Sequence, residues 1–209
     1  MSYLDDSQRF WLREWWRALQ PQDGEGAAVL PALRHLTRAD RAKLKRCTSI
    51  DELQIESAAN LLVEHISRDA WTKQPYLKSW LEKTDCAALF LIAGVLAHVK
   101  NDAANSKSLA WRVGKANTPK DAPMPMSELR FKRMLRARDV EDFYRQVRRG
   151  VQLAKGDADV AVLANDLLAW CYEQSLDVRA SKPSNSLKFR WARDYYLTAK
   201  EDRDSKENR

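Results

Sequence analysis

The sequence predicts an all-α protein, and three observations carry the prediction. Ala, Leu, Arg, Lys, Glu and Gln are plentiful while only six Gly occur, a composition of helix formers with few breakers. Runs of β-branched residues are absent, and the single Asp23-Gly24 pair lacks the flanking alternation of a hairpin. Apolar residues recur instead at intervals of three and four, the spacing that places them on one side of a helix. The 209 residues, 44% hydrophobic, are enough for one sizeable core or two small helical ones.

Asp5, Asp6 or Ser7 caps a first helix with Phe10, Trp11, Trp15 and Leu19 as its apolar stripe, ended by Pro21. Because Trp15 and Trp16 are adjacent, one indole is expected to pack and the other to be half covered, as a core-edge residue, a base-stacking platform or a subunit contact. Thr37 with Asp40 has the form of a capping box. Ser49 with Glu52 is another, opening a helix through Ile55, Ala59, Leu62 and Ile66. Pro75 begins a short helix with Tyr76, Leu77, Trp80 and Leu81. Thr84 or Asp85 caps a helix from Cys86 to His98 whose apolar residues go nearly all the way round, which puts it at the centre of the N-terminal core. A polar loop, Asn101 to Ser106, and a short amphipathic piece, Leu109 to Lys115, follow. Pro119, Pro123 and Pro125 then interrupt the chain within seven residues and mark a boundary.

Beyond the boundary Ser127 caps one helix with Phe131, Met134 and Leu135. Asp139 caps a second, running to Gly156, whose packing face is Val140, Phe143, Val147 and Val151. Asp159 caps a third through Val160, Leu163, Leu167, Leu168 and Cys171, and a Ser/Pro/Asn loop at Ser181 to Ser186 leads to a fourth with Leu187, Trp191, Tyr195 and Leu197. The expected organisation is an N-terminal helical subdomain over 1–117, a Pro-rich linker at 118–126, a C-terminal four-helix bundle over 127–199 and a disordered charged tail at 200–209.

Charge is concentrated rather than spread. Between Ser127 and Lys155 stand Arg130, Lys132, Arg133, Arg136, Arg138, Arg145, Arg148, Arg149 and Lys155 against four acidic residues. A second cluster, Arg34, Arg38, Arg41, Lys43, Lys45 and Arg46, faces only Asp40. Each nets +5 in a chain whose total is +7, so the remainder is net acidic. That is the electrostatic footprint of a polyanion binder. At about 100° per residue, Arg145, Arg148, Arg149 and Gln152 collect opposite the packing face of their helix, with no acidic residue interleaved after Asp142. A solvating face mixes its signs.

Other chemistries are not supported. His35, His65 and His98 lie far apart without a second ligand at i+4, and no Gly-rich phosphate loop or Cys/His constellation occurs. No cofactor, no metal and no enzymatic activity is expected. Cys47, Cys86 and Cys171 are odd in number and widely spaced, which suits reduced thiols of a cytoplasmic protein. The longest apolar run, Cys86 to Ala97, is too short to span a bilayer, and no membrane role follows. The abundance of Arg with little Asn or Gln argues against a base-reading regulator.

The order SELRFKRMLRARDVEDFYRQVRRGVQLAKG followed by ADVAVLANDLLAW resembles the CasB family, the small subunit of the type I-E CRISPR Cascade complex. The likeness covers most of Ser108 to Leu197 and, more loosely, Trp15 and Trp16. It implies a non-catalytic, two-subdomain helical protein that associates as a homodimer inside a crRNA-guided antiviral complex. Its implied partners are the backbone and large subunits, crRNA and single-stranded target DNA, the displaced strand of the R-loop above all. By position the resemblance carries nucleic-acid contact onto Arg130, Arg136, Arg148 and Arg149, with Arg138 and Arg145 beside them, and onto Lys45 and Arg46. Arg34 and Arg133 join from the charge clusters. Where the family shows Ser-Leu-Gly-Arg-Ala-Leu, this chain has Ser108-Leu109-Ala110-Trp111-Arg112-Val113, so the Gly is lost and Arg112 stands one place along. The rival expectation is a helical protein–protein scaffold whose basic faces meet acidic subunits without touching nucleic acid.

Overall fold

The structure, a computed structural model, describes residues 3–21, 30–69, 75–84, 86–115, 124–175 and 183–207. Among them eleven α-helices and one pair of two-residue strands make an all-α fold. In order they are α1 (Asp6–Ala18), α2 (Arg38–Arg46), α3 (Ile50–Gln54), α4 (Ser57–Asp69), α5 (Pro75–Lys83), α6 (Ala87–Leu96), β1 (Asn101–Asp102), α7 (Leu109–Gly114), α8 (Glu128–Leu135), α9 (Val140–Leu153), β2 (Asp157–Ala158), α10 (Val160–Ser175) and α11 (Leu187–Glu207). Short 3-10 turns stand at Pro31–Leu33 and Pro183–Asn185.

Local chemistry sets most of the starts. Asp5 caps α1 in a reciprocal box with Gln8, and Thr37 caps α2 in another with Asp40. Asp139 accepts from the Asp142 amide at 2.7 Å, and one Asp159 oxygen takes the amides of Ala161 and Val162, so both carboxylates satisfy orphan donors of a first turn. The helix expected from Ser49 through Ile66 is two helices. α3 ends at Gln54, Ile55 points 83% exposed into solvent, and α4 starts afresh at Ser57. The N-cap of α6 is Cys86, in the left-handed conformation; Thr84 instead donates its hydroxyl to Trp80 O at 3.1 Å, and Asp85 lies outside the described residues.

The first helix departs from expectation too. Both adjacent indoles are buried, Trp15 at 0% and Trp16 at 6% exposure. Each N–H finds a backbone carbonyl, Ala58 O at 3.0 Å and Val99 O at 3.1 Å, which removes the polar reason for leaving one in water. The ring left outside is Phe10.

α6 is buried on every side from Ala88 to Leu96 and is the axis of the molecule. A helix apolar all round needs partners all round, and α6 has them in α2, α3, α4, α9 and α10. Gly94 lets α3 and α9 close on it: a Cβ there would meet Leu53 Cδ1 and Tyr144 Oη at 2.6 Å. Of the four C-terminal helices, α8 packs on α9 and α10 on α11, and they also pack beyond themselves. α9 and α10 pack on α6, α1 packs on α10, and α11 lies along α7, so buried residues from both sides of the expected linker share one core.

Polar ties run the same way. Arg13 of α1 bonds Asp102 of β1 and Asp159 at the start of α10, each at 3.1 Å. The Glu141 carboxylate of α9 accepts from the Ile50 amide at 2.8 Å. β1 and β2 pair in parallel, Asn101 opposite Asp157, and Gly156 at φ +83° turns the chain from α9 into that pairing. Of the expected linker only 124–126 is described, and there the Met126 amide donates to Val113 O at 3.2 Å. α11 carries helix into residues 200–207 of the expected tail, which are rich in helix-forming Lys, Glu and Arg. No helix among the described residues is long and apolar enough to cross a membrane.

Candidate nucleic-acid interface

α8 and α9 are adjacent antagonists of charge and burial. Phe131 and Met134 of α8, and Phe143, Tyr144, Val147, Gly150 and Val151 of α9, face the core. With those positions inward, Arg130 and Arg133 on α8 meet Gln146, Arg149 and Gln152 on α9 around a cleft of about 510 Å³, which Met126 and Leu153 also line. The spacing is helical on both sides, i and i+3 on α8, and i, i+3 and i+6 on α9. Among the described residues no carboxylate lines the cleft. Gln146 donates one amide hydrogen to Asp142 at 3.2 Å, while among the described residues the three guanidinium groups have no acceptor and no ion-pair partner. Three unpaired guanidinium forks with an amide-bearing wall are what an array of phosphate oxygens needs.

The remaining expected contacts fall elsewhere. Arg136 and Arg138 are exposed in the turn between α8 and α9, and Arg138 lines a second, smaller pocket of about 200 Å³ with Trp80 and Trp170. Arg145 is exposed but lies 3.7 Å from Asp142. Arg34 is exposed after the first 3-10 turn, and Arg46 is exposed with its Nε on Ala42 O at 3.2 Å.

Two of the expected contacts are engaged inside the protein. Arg112 is buried at 8% exposure, its guanidinium on Asp157 and, at 2.7 Å, on Asn105. It joins α7 to β2. Arg148 does not share the open stripe with Arg149: it lies over the Tyr144 ring and donates to Cys47 O at 2.7 Å and Lys45 O at 3.3 Å. A guanidinium at the C-terminus of α2 satisfies carbonyls that have no helical partner. Consecutive residues differ by about 100° on a helix, enough for Arg148 to close an internal seam while Arg149 opens on the cleft.

That seam brings the end of the first basic cluster against the second. Burial and the charges of Arg41 and Lys100 lower the Lys45 pKa. His98 sits among these cations with its Nε2 buried and unpartnered. Burial first, then Arg148, Lys45 and Arg41, hold its imidazole down to about 4. The unfolded chain takes up that proton near 6.5 and the folded protein does not, so stability present above pH 6.5 is lost as pH falls toward 4. From pH 7 to pH 4, His98→Gln is expected to gain on the wild type by about 3 kcal/mol. Urea unfolding of both proteins at each pH measures the gap, in which shared groups such as Asp166, pushed up to about 6 by burial, cancel. A gap that stays constant would place His98 in water.

Sequence reasoning missed Gln146, Met126, Leu153, Lys100 and the role of His98. For Gln146 a signal existed, its i−3 spacing from Arg149; the others depend on which helices meet. No cluster of metal-ligating side chains occurs among the described residues.

Fold and cleft together define a class, the helical proteins that present an arginine-lined cleft between two packed helices. The family model for CRISPR-associated protein Cse2 matches residues 40–196 of the chain, from within α2 to within α11, and so takes in α8, α9 and the seam. The chain belongs to that family, and is thereby a subunit of the type I-E CRISPR complex Cascade. No curated protein and no solved structure matches it.

Proposed function

We propose that this chain is the non-catalytic small subunit of Cascade that holds the displaced strand of the R-loop by its phosphates, with Arg130, Arg133 and Arg149 as the principal contacts. Arg136, Arg138, Arg145, Lys45, Arg46 and Arg34, which lie outside the cleft, are further candidate contacts. In this reading it works in the cytoplasm as a pair of copies beside the backbone and large subunits. The observation that carries the proposal is the convergence of three guanidinium groups in one cleft, with no carboxylate among its described lining residues. Contacts of this kind go to phosphate and are neutral to sequence. R-loop formation exchanges one duplex for another at nearly equal energy, so a few charge-assisted contacts tip it open.

The test is the affinity of guide-loaded Cascade for double-stranded target with this subunit absent, restored, or restored as Arg130→Ala/Arg133→Ala/Arg149→Ala. The wild type should tighten binding by about tenfold or more, since one charge-assisted hydrogen bond contributes about 1.5–3 kcal/mol, and the incorporated variant should not. If the variant restores affinity in full, the cleft is a solvated surface. If the variant fails to join the complex, its arginines meet acidic protein and the scaffold reading takes over.

A further inference from the structure

α7 turns five of its six residues inward: Leu109, Ala110, Arg112, Val113 and Gly114 are buried against the protein. The sixth is Trp111, left partly exposed. Lys107 and Lys115, four residues before and four after it, bring their ammonium groups to 5.3 and 4.8 Å from its ring centroid. Both lysines are exposed, and among the described residues neither has a carboxylate partner and the indole N–H has no acceptor. An indole held at the surface between two free cations has the two parts of a single-strand site, a face for a base and charge for the phosphates on either side. An exposed cation–π contact is weak, so the lysines can leave the ring for phosphate oxygens as a base takes their place.

Its position relative to the cleft matters. Trp111 is two residues, about 3 Å of helix rise, from Val113, whose carbonyl accepts from the Met126 amide at 3.2 Å, and Met126 lines the cleft. We propose that Trp111, with Lys107 and Lys115, is a stacking platform for an unpaired nucleobase of the strand whose phosphates the cleft holds. This rests on the phosphate reading above and adds to it a contact with the base. Stacking of this kind accepts any base, because each has a π-face.

The test uses the full chain and two single strands of equal length and charge, one oligothymidylate and one made of abasic sites. Trp111→Ala should weaken oligothymidylate binding by about fivefold or more and leave the abasic strand unchanged, while Trp111→Phe should keep most of the wild-type affinity. Lys107→Ala/Lys115→Ala should weaken both strands. The proposal is overturned if Trp111→Ala affects both strands equally or neither, including the case in which it impairs only entry into Cascade, which would make Trp111 a protein contact. Arg130→Ala/Arg133→Ala/Arg149→Ala, run alongside, separates the two readings. Loss of both strands there with a silent Trp111→Ala leaves the cleft and removes the platform; the reverse pattern leaves the platform and removes the cleft. If the wild type binds neither strand, both fall.

Discussion

Replacing either Trp15 or Trp16 with alanine is expected to destabilise the protein by about 3–5 kcal/mol. Two large side chains leave the core, with 0% and 6% exposure to begin with, and each exit also removes a buried hydrogen bond, to Ala58 O or to Val99 O. Set against a total stability of about 5–15 kcal/mol for an ordinary domain, either loss approaches the whole margin. Phenylalanine at either site should cost less, about 1–2 kcal/mol, because most of the volume stays and only the hydrogen bond goes. Phe10→Ala, on the exposed side of the same helix, should fall within about 0.5 kcal/mol of the wild type. Urea unfolding read by far-UV circular dichroism decides it. A Trp16→Ala cost under about 1 kcal/mol would mean that this indole lies at the surface after all, free to meet a base or a subunit.

The contrast between those indoles and Phe10 shows what was legible in the sequence. Features set by neighbours in the chain were readable: the capping box of Thr37 with Asp40, the caps Asp139 and Asp159, the all-round apolarity of α6 and hence its central place. Features set by distant acceptors were not. Nothing near Trp16 announces that Val99 O will meet it, or that Asp157 will take up Arg112. Arg148 shows the same limit within the candidate site. Its place on α9 was readable, but the carbonyls that engage it end a helix about a hundred residues earlier. The excess of basic charge was therefore visible as a sum, while its division into internal ties and open contacts required the packing of α2 and α8 against α9.

That division makes a quantitative expectation about salt. Each phosphate neutralised on a single strand contributes a slope of about −0.7 in log affinity against log salt. A wild-type protein making about four to six such contacts should show a slope of roughly −3 to −4. Removing Arg130, Arg133 and Arg149 together should flatten it by about 2, so that between about 50 and 200 mM salt the wild type loses about twentyfold more affinity than the variant. Changing the same three residues to lysine should preserve the slope, because the charges remain, while lowering affinity through loss of the two-pronged guanidinium geometry. Arg112→Gln, which removes the charge, should leave the slope unaltered, since that guanidinium is already held by Asp157 inside the protein. Parallel salt plots for the wild type and the triple alanine variant would mean that the cleft holds no phosphate. Flattening on substitution of Arg112 would mean that its buried pair opens when nucleic acid arrives.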